Sequence, residues 1–258
     1  MNPAPRRTLH DPGQPTVGER AREQLLVAAG EVFAEQGYGR ATSKEICERA
    51  GMNSAAVNYH FGGFEALYSQ TLAHAHQQLI AIEVLKDIAA SRAMPRQKLR
   101  AVISMIVRRL AFPNASWEMR LISREIISPS PAREAFFRSE VLPKLTVLRG
   151  IVAAMIGAQR EDPVVGRTML TLLAPAMLLA IMQRDVLTHV MPGLAHGSDE
   201  IDPLIDHIER FISAGLAAVA SHLRSTRSLP KPRGRPQAGR RAAPPTPTRR
   251  RNKSATKR

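Results

Sequence analysis

The sequence predicts an all-α protein: an N-terminal three-helix helix-turn-helix domain, a larger C-terminal helical bundle and a disordered basic tail. Three observations predict it. Aromatic residues make up only 4% of a chain that is 44% hydrophobic, and the abundant Ala, Leu, Ile, Val and Met suit packed helices better than sheets. Apolar residues recur at helical spacing over most of positions 19–224. Near the N-terminus, glycines divide short helical segments at the spacing of a helix-turn-helix.

Residues 1–18 read as a flexible Pro- and Gly-containing arm, 19–80 as a compact domain of short helices, 81–224 as a domain of longer apolar helices, and 225–258 as the tail. The first helix spans about Glu19 to Gln36. Its Leu25, Ala28, Ala29, Val32 and Phe33 share a face, and Gly37 supplies the stop. Thr42-Ser43-Lys44-Glu45 reads as a capping box that opens a second helix. Ile46, Cys47 and Ala50 give that helix one apolar face, and Gly51 ends it. Asn53 caps a third short helix, Ser54 to His60, held inward by Val57 and Phe61. Gly62 and Gly63 then precede a long helix from Phe64 to the Ala81 region.

The formal charge of +15 is unevenly placed. No acid follows Glu209, and 13 of the 37 Lys and Arg lie from Arg224 onward. The rest of the chain is nearly neutral, so basicity points to nucleic-acid contact by the tail and says little about the folded part. Such a tail buries too little apolar surface to offset its chain entropy. The single Cys47 excludes an internal disulfide and fits a reducing cytoplasm. No apolar stretch follows Arg6 and Arg7, so the start does not read as a signal peptide. The 16 uncharged residues between Arg167 and Arg184 fall short of a membrane span and read as a buried helix.

A reading helix must be slim enough for the major groove and carry polar groups on its outer face. Ser54, Ala55, Asn58 and Tyr59 supply that face, opposite Val57. The runs Ala28-Ala29, Phe33-Ala34-Glu35-Gln36-Gly37-Tyr38, Ala41-Thr42-Ser43-Lys44-Glu45-Ile46, Ala50-Gly51-Met52-Asn53 and Val57-Asn58-Tyr59-His60-Phe61 closely resemble the DNA-binding domain of the tetracycline-repressor (TetR) family. Ser123-Arg124-Glu125-Ile126-Ile127-Ser128-Pro129 resembles the Arg-Glu…Pro segment of its CerR-like branch. The resemblance implies that Thr42 and Tyr59 contact phosphates. It also implies that Asn53 to Ala55, Asn58 and His60 lie along bases or backbone, with Ser43 and Lys44 at the same surface. Asn58 is an adenine reader or a phosphate contact, and His60 is more ordinarily a packing residue. One departure stands out: Phe64 occupies the position where the family has a phosphate-binding Lys. Only the helix N-terminus is left to make that contact, and a weaker operator affinity follows.

Double-stranded DNA, a small-molecule effector and a second copy of the chain are the expected partners, with no cofactor and no membrane. Most apolar residues of 81–224 read as core. Arg108, Arg120, Arg124 and Gln183, with Trp117 and Met177 among them, are the candidates to line an effector cavity, because buried polar groups without partners are costly. Arg124 equally fits a structural role. The seam Ile201, Leu204, Ile205, Ile208, Phe211, Ile212, Leu216 and Val219, together with the helix around Pro175, reads as the dimer interface, in-chain packing being the alternative. His74 and His76 sit two residues apart on a helix and cannot share one ion. No nucleophile, base and orienting acid can be assembled, nor a phosphate-cradling Gly loop. The rival readings are an architectural DNA-binding protein dominated by its tail, and an all-helical enzyme or lipid-binding module.

The tail segment Lys231-Pro232-Arg233-Gly234-Arg235-Pro236 resembles the core of an AT-hook. Gly234 permits close backbone approach, the prolines keep the flanks extended, and Arg233 and Arg235 suit the negative potential of a narrow A·T minor groove.

Overall fold

The structure, a computed structural model, describes residues 16–111, 116–182, 186, 189–190, 192 and 201–228. Its regular elements are helical throughout, and the described residues hold no strand. Helix α1 (Val17–Gln36) begins two residues earlier than the periodicity predicts. Thr16 Oγ1 accepts from the Glu19 amide at 3.1 Å while the Glu19 carboxylate accepts from the Thr16 amide at 2.7 Å, a complete capping box. Gly37, at φ 80°, ends the helix as expected.

Helix α2 (Ser43–Arg49) is capped by Thr42 alone, whose Oγ1 accepts from the Glu45 amide at 3.2 Å. The reciprocal half of the expected box is absent. The Glu45 carboxylate turns instead to Gln36 Nε2, at 2.5 Å, and so fastens α2 to α1. Helix α3 (Ala56–Phe61) starts later than predicted. Asn53 does not cap it directly: its Oδ1 accepts from the Ala55 amide at 3.1 Å, an Asx turn that delays the first helical residue. Helix α4 (Phe64–Leu79) is the long helix expected from Phe64 to the Ala81 region, and a separate helix α5 (Ile82–Ala90) follows it.

The larger domain contains α6 (Pro95–Ala111), α7 (Trp117–Ile127), α8 (Arg133–Phe136), a π turn (Phe137–Val141), α9 (Leu142–Ile156), α10 (Pro163–Ile181) and α11 (Ile201–Ser228). Two cores form. One gathers Leu25, Ala29, Val32 and Phe33 of α1 with Ile46, Cys47, Val57, Leu67 and Leu72, and it also takes in Met119, Leu121 and Ile122 of α7. The head therefore does not close on itself at residue 80. The other core joins α5, α6, α9, α10 and α11 around Leu99, Val102, Val152, Ile156 and Ile201.

The α11 seam expected at a dimer interface packs inside the chain. Ile201, Ile205 and Leu216 are buried, and Leu204, Ile208, Ile212 and Val219 pack against the second core. Ion pairs hold α11 to α6. Glu209, itself buried, accepts from Arg96 and Arg100 at 3.0 Å each, and Asp206 accepts from Arg100 at 2.6 Å. Phe211 alone of the seam points outward, 76% exposed. Helix α10, expected to be buried, is long and apolar enough to cross a membrane by composition. It buries only Val165, Thr168, Met169 and Leu172, leaving Leu170, Met177, Leu178 and Ile181 exposed.

Candidate nucleic-acid interface

Val57 and Phe61 anchor α3 in the core, which forces the intervening side chains outward. Asn53, Ser54, Ala55, Asn58 and Tyr59 are exposed, and His60 is half-buried beneath the Tyr59 ring at 4.8 Å. Tyr59 is 84% exposed, far beyond what a packing role leaves uncovered. Thr42 is exposed at the start of α2, its oxygen engaged by the Glu45 amide and its hydroxyl hydrogen still available to a phosphate. Ser43 is half-buried; Lys44 is exposed, 3.8 Å from Glu48. The predicted residues of the folded domain therefore form one surface built from the start of α2, the Asn53 turn and α3. Arg233, Gly234 and Arg235 lie outside the described residues.

Two exposed cations escaped sequence reasoning. The Arg22 guanidinium lies 4.9 Å over the Phe61 ring, beside the end of α3, and donates to Gln70. Arg40 precedes α2 and donates to the Gln36 carbonyl at 3.2 Å. An arginine next to a helix-capping threonine is the signal that could have found the second. Arg49 is not such a residue: it is drawn to Glu35 at 2.9 Å, with Glu31 and Glu45 near, and that pairing holds the Glu35 carboxyl below its usual range. Between Thr16 and Ile80 only five Lys and Arg face seven Asp and Glu. The reading head is net acidic.

Phe64 is held where a phosphate-binding lysine would otherwise reach out. Its ring sits 5.4 Å from Phe33 and 5.5 Å from Tyr38, and Tyr68 closes the same aromatic cluster. No side chain caps α4; Gly63, at φ 139°, precedes it.

The family model described as bacterial regulatory proteins of the TetR family matches residues 25–71, the same stretch that builds this surface. The model for the C-terminal domain of the transcriptional dual regulator CecR matches residues 95–216. Along the chain, 167 residues are 30% identical to the HTH-type transcriptional dual regulator CecR of Shigella flexneri, covering 60% of this chain and 73% of that protein. This chain belongs to the TetR family of transcriptional regulators. A second relative, the HTH-type transcriptional activator FasR of Mycolicibacterium smegmatis, is 33% identical over 85 residues, 33% of this chain and 38% of its own. Among solved structures, the regulator FadR of Bacillus subtilis, in complex with stearoyl-CoA, superposes with a TM-score of 0.57 at 20% identity, covering 75% of this chain and 98% of that one. A TetR-like regulator from Rhodococcus sp. RHA1 gives 0.55 at 18%, covering 76% and 96%. These similarities show the same fold.

In this TetR-family regulator, α7 joins head to body, and it carries three of the residues singled out as effector contacts. Trp117 stacks on His74 of α4 at 6.1 Å and packs against Gly30 of α1. Arg124 donates to the carbonyls of Ala34 (3.3 Å) and Glu35 (3.1 Å), satisfying the open C-terminal end of α1. Arg120 is exposed, its charge acting on Glu35 of α1. Neighbouring Glu125 is buried and accepts from the Tyr68 hydroxyl at 2.6 Å and from both the Ser130 amide and hydroxyl at 3.0 Å. The Arg-Glu…Pro segment is thus the clamp between the domains. Arg108 pairs outside with Asp202 of α11, Met177 faces outward on α10, and Gln183 lies outside the described residues.

None of the other five lines the apolar cavity inside the second core. That cavity leaves about 30 Å³ open to a water-sized sphere and is bounded by residues such as Val102, Ile106, Leu148, Leu172, Pro175 and Ile212. The described residues offer no cluster of His, Cys, Asp or Glu able to hold a metal ion.

Below the head, His76 of α4 is buried against Lys144 of α9, with Nδ1 2.7 Å from Nζ, and Glu140 lies 3.4 Å beyond. Burial, then the lysine charge, lowers the His76 pKa from its usual value to about 4. The ring is neutral and accepts from the ammonium. Sequence reasoning set this residue aside as a non-ligand, with nothing to reveal its partner 68 positions away.

Proposed function

We propose that this regulator is a repressor that binds an imperfect palindrome as a symmetric homodimer and releases it when a small, mostly apolar effector enters the C-terminal bundle. The observation that carries this reading is the outward face of α3, where Asn58 and Tyr59 stand exposed above a fully packed Val57 and Phe61. Thr42, Ser43, Lys44, Asn53, Ser54, Ala55 and His60 share the surface and take the phosphate and groove contacts.

Dimerisation falls to the outward face of α10, where Leu170, Met177, Leu178 and Ile181 are exposed. Large apolar residues left in water at this density favour a partner surface, and an identical copy supplies one. The effector expands the small cavity beside Pro175, whose missing amide already removes one hydrogen bond from α10. A ligand that binds one arrangement better must lower operator affinity by the same factor. The protein acts in the cytoplasm, where its buried Cys47 stays reduced.

The tail is a second DNA contact, with Arg233-Gly234-Arg235 in a minor groove. The acidic head favours this assignment, because most of the electrostatic attraction must then come from elsewhere in the chain. Footprinting of the full chain on genomic DNA tests the proposal: two protected half-sites about one helical turn apart, related by a dyad, are expected. A footprint without a dyad, or a monomer at micromolar concentration, refutes it. Binding that is steeply salt-dependent with no preferred site would instead establish the architectural reading.

A further inference from the structure

Between α5, α6 and α9 lies an open groove that the reading above leaves unused. Helix α5, the α5–α6 turn, the start of α6, and α9 with its following loop enclose about 460 Å³, a volume within the range of small-molecule sites. Its floor is small and apolar: Ala89, Pro95, Val147 and Ala154 among others. Its charged lining consists of Lys86, Lys98 and Arg160, and no carboxylate lines it.

Two of these cations are held in place. Lys98 Nζ donates to the Ala89 carbonyl at 2.6 Å, near the C-terminal end of α5, so the ammonium is fixed with two hydrogens left to give. The Arg160 guanidinium lies across α9 at Gly150, where an added Cβ would meet its atoms at 3.0–3.3 Å. A glycine in the middle of a helix costs stability against alanine. Here its effect is to let a guanidinium lie flat on the helix at the groove wall.

We propose that this groove binds an organic anion of metabolite size, a carboxylate, sulfonate or phosphate carried on an apolar body. The oxyanion sits between Lys98 and Arg160, with Lys86 at the rim, and the apolar part lies on the alanine and valine floor. The site is separate from the apolar cavity, although α6 and α9 line both: Lys98 faces the groove while Leu99 faces the cavity. An anion in the groove therefore acts on the same two helices that an effector in the cavity would move. The proposal stands whether or not that cavity takes the effector.

The test titrates the full chain with 8-anilinonaphthalene-1-sulfonate, an anion on an apolar body, and with neutral N-phenyl-1-naphthylamine as its uncharged counterpart. One saturable sulfonate site per chain is expected, with the methyl resonances of Val147 and Ala154 shifting on binding. Arg160→Glu and Lys86→Glu alter exposed residues and should leave the fold intact while weakening the sulfonate at least tenfold. Arg133→Glu, exposed on α8 and outside the groove, should change it less than twofold. Gly150→Ala separates binding from folding: it should keep or raise the melting temperature yet weaken the sulfonate by pressing on the guanidinium. The neutral dye should be indifferent to all four changes. The proposal is overturned if Arg160→Glu weakens the sulfonate no more than Arg133→Glu. It is equally overturned if the shifts fall on Leu172 and Ile212 of the cavity, or on Leu170 and Leu178 of the α10 face, instead of the groove.

Discussion

The indole of Trp117 occupies the space that a side chain on Gly30 would need: a Cβ there would stand 2.1 Å from Cε3. The contact lets α7 settle against α1, and the His74 ring stacks on the same indole. Gly30→Ala in an exposed helix would stabilise by up to about 1 kcal/mol. Here overpacking costs about 1–3 kcal/mol and wins. The urea midpoint should fall, and Trp117→Leu in the same chain should recover part of the loss. A raised midpoint for Gly30→Ala alone would show that the two helices are not packed this way.

His76 makes stability depend on pH. The unfolded chain takes up this proton near pH 6.5, whereas the folded ring, crowded by burial and by Lys144, does so only near 4. Between those values the unfolded state binds the extra proton, so stability falls as pH drops, by up to about 3 kcal/mol. His76→Gln keeps an acceptor for Lys144 and does not titrate. Denaturation at pH 7 and pH 4.5 should show a smaller loss in the variant than in the parent, and equal losses would exclude His76 as the cause.

Phe64→Lys exchanges packing for charge. Losing the ring contacts to Phe33 and Tyr38 should cost about 0.5–1.5 kcal/mol per pair beyond the area lost. A lysine that reaches phosphate should steepen the slope of log affinity against log salt by about 0.9 per contact. A melting temperature that falls while low-salt operator affinity rises is the expected pair of results.

On the reading face, Asn58→Ala should cost about 1–3 kcal/mol at particular base pairs and relax the preference there. Tyr59→Phe removes only a hydroxyl, so it should weaken binding to all sequences alike. Binding assays over single-base operator variants separate the two patterns. Uniform weakening by Asn58→Ala would move that residue to the phosphate backbone.

For the tail, the full chain, a chain ending at Ser228 and Arg233→Ala/Arg235→Ala should be compared on operators with A·T-rich and G·C-rich flanks. A minor-groove hook predicts that the double variant loses most of the tail's contribution, and only beside A·T-rich DNA. A loss equal to that from any two tail arginines, whatever the flank, identifies a plain polycation.

The head was largely legible in the sequence because local signals define it. The Leu25-to-Phe33 stripe, the Thr42 cap and the glycines at 37, 51 and 62 each act within a turn or two of themselves. Periodicity reports which face of a helix is apolar, not what covers it. That is why the α11 seam read as a dimer surface although α6 and α9 of the same chain bury it. The same blindness left Trp117 and Arg124 as candidates for an effector cavity, with a structural role equally open for Arg124. A polar group inside an apolar stretch announces a partner, and for Arg124 the partner is the end of a helix about 90 positions earlier.

Ser123 and Arg124 are consecutive, and they grip different domains. Ser123 Oγ lies 2.5 Å from the Ala180 carbonyl at the far end of α10 and 2.8 Å from that of Met119, while Arg124 holds the end of α1. Along the backbone the two grips are one peptide unit apart. A displacement of the α10 end therefore bears on two neighbouring residues of α7, one of which holds α1. Amplification must come from geometry further out, because α3 sits at the tip of the arm that begins there. A residue inserted between positions 123 and 124 would turn Arg124 away from the end of α1, and Glu125 away from Tyr68, while leaving the Ser123 grip on α10 in place.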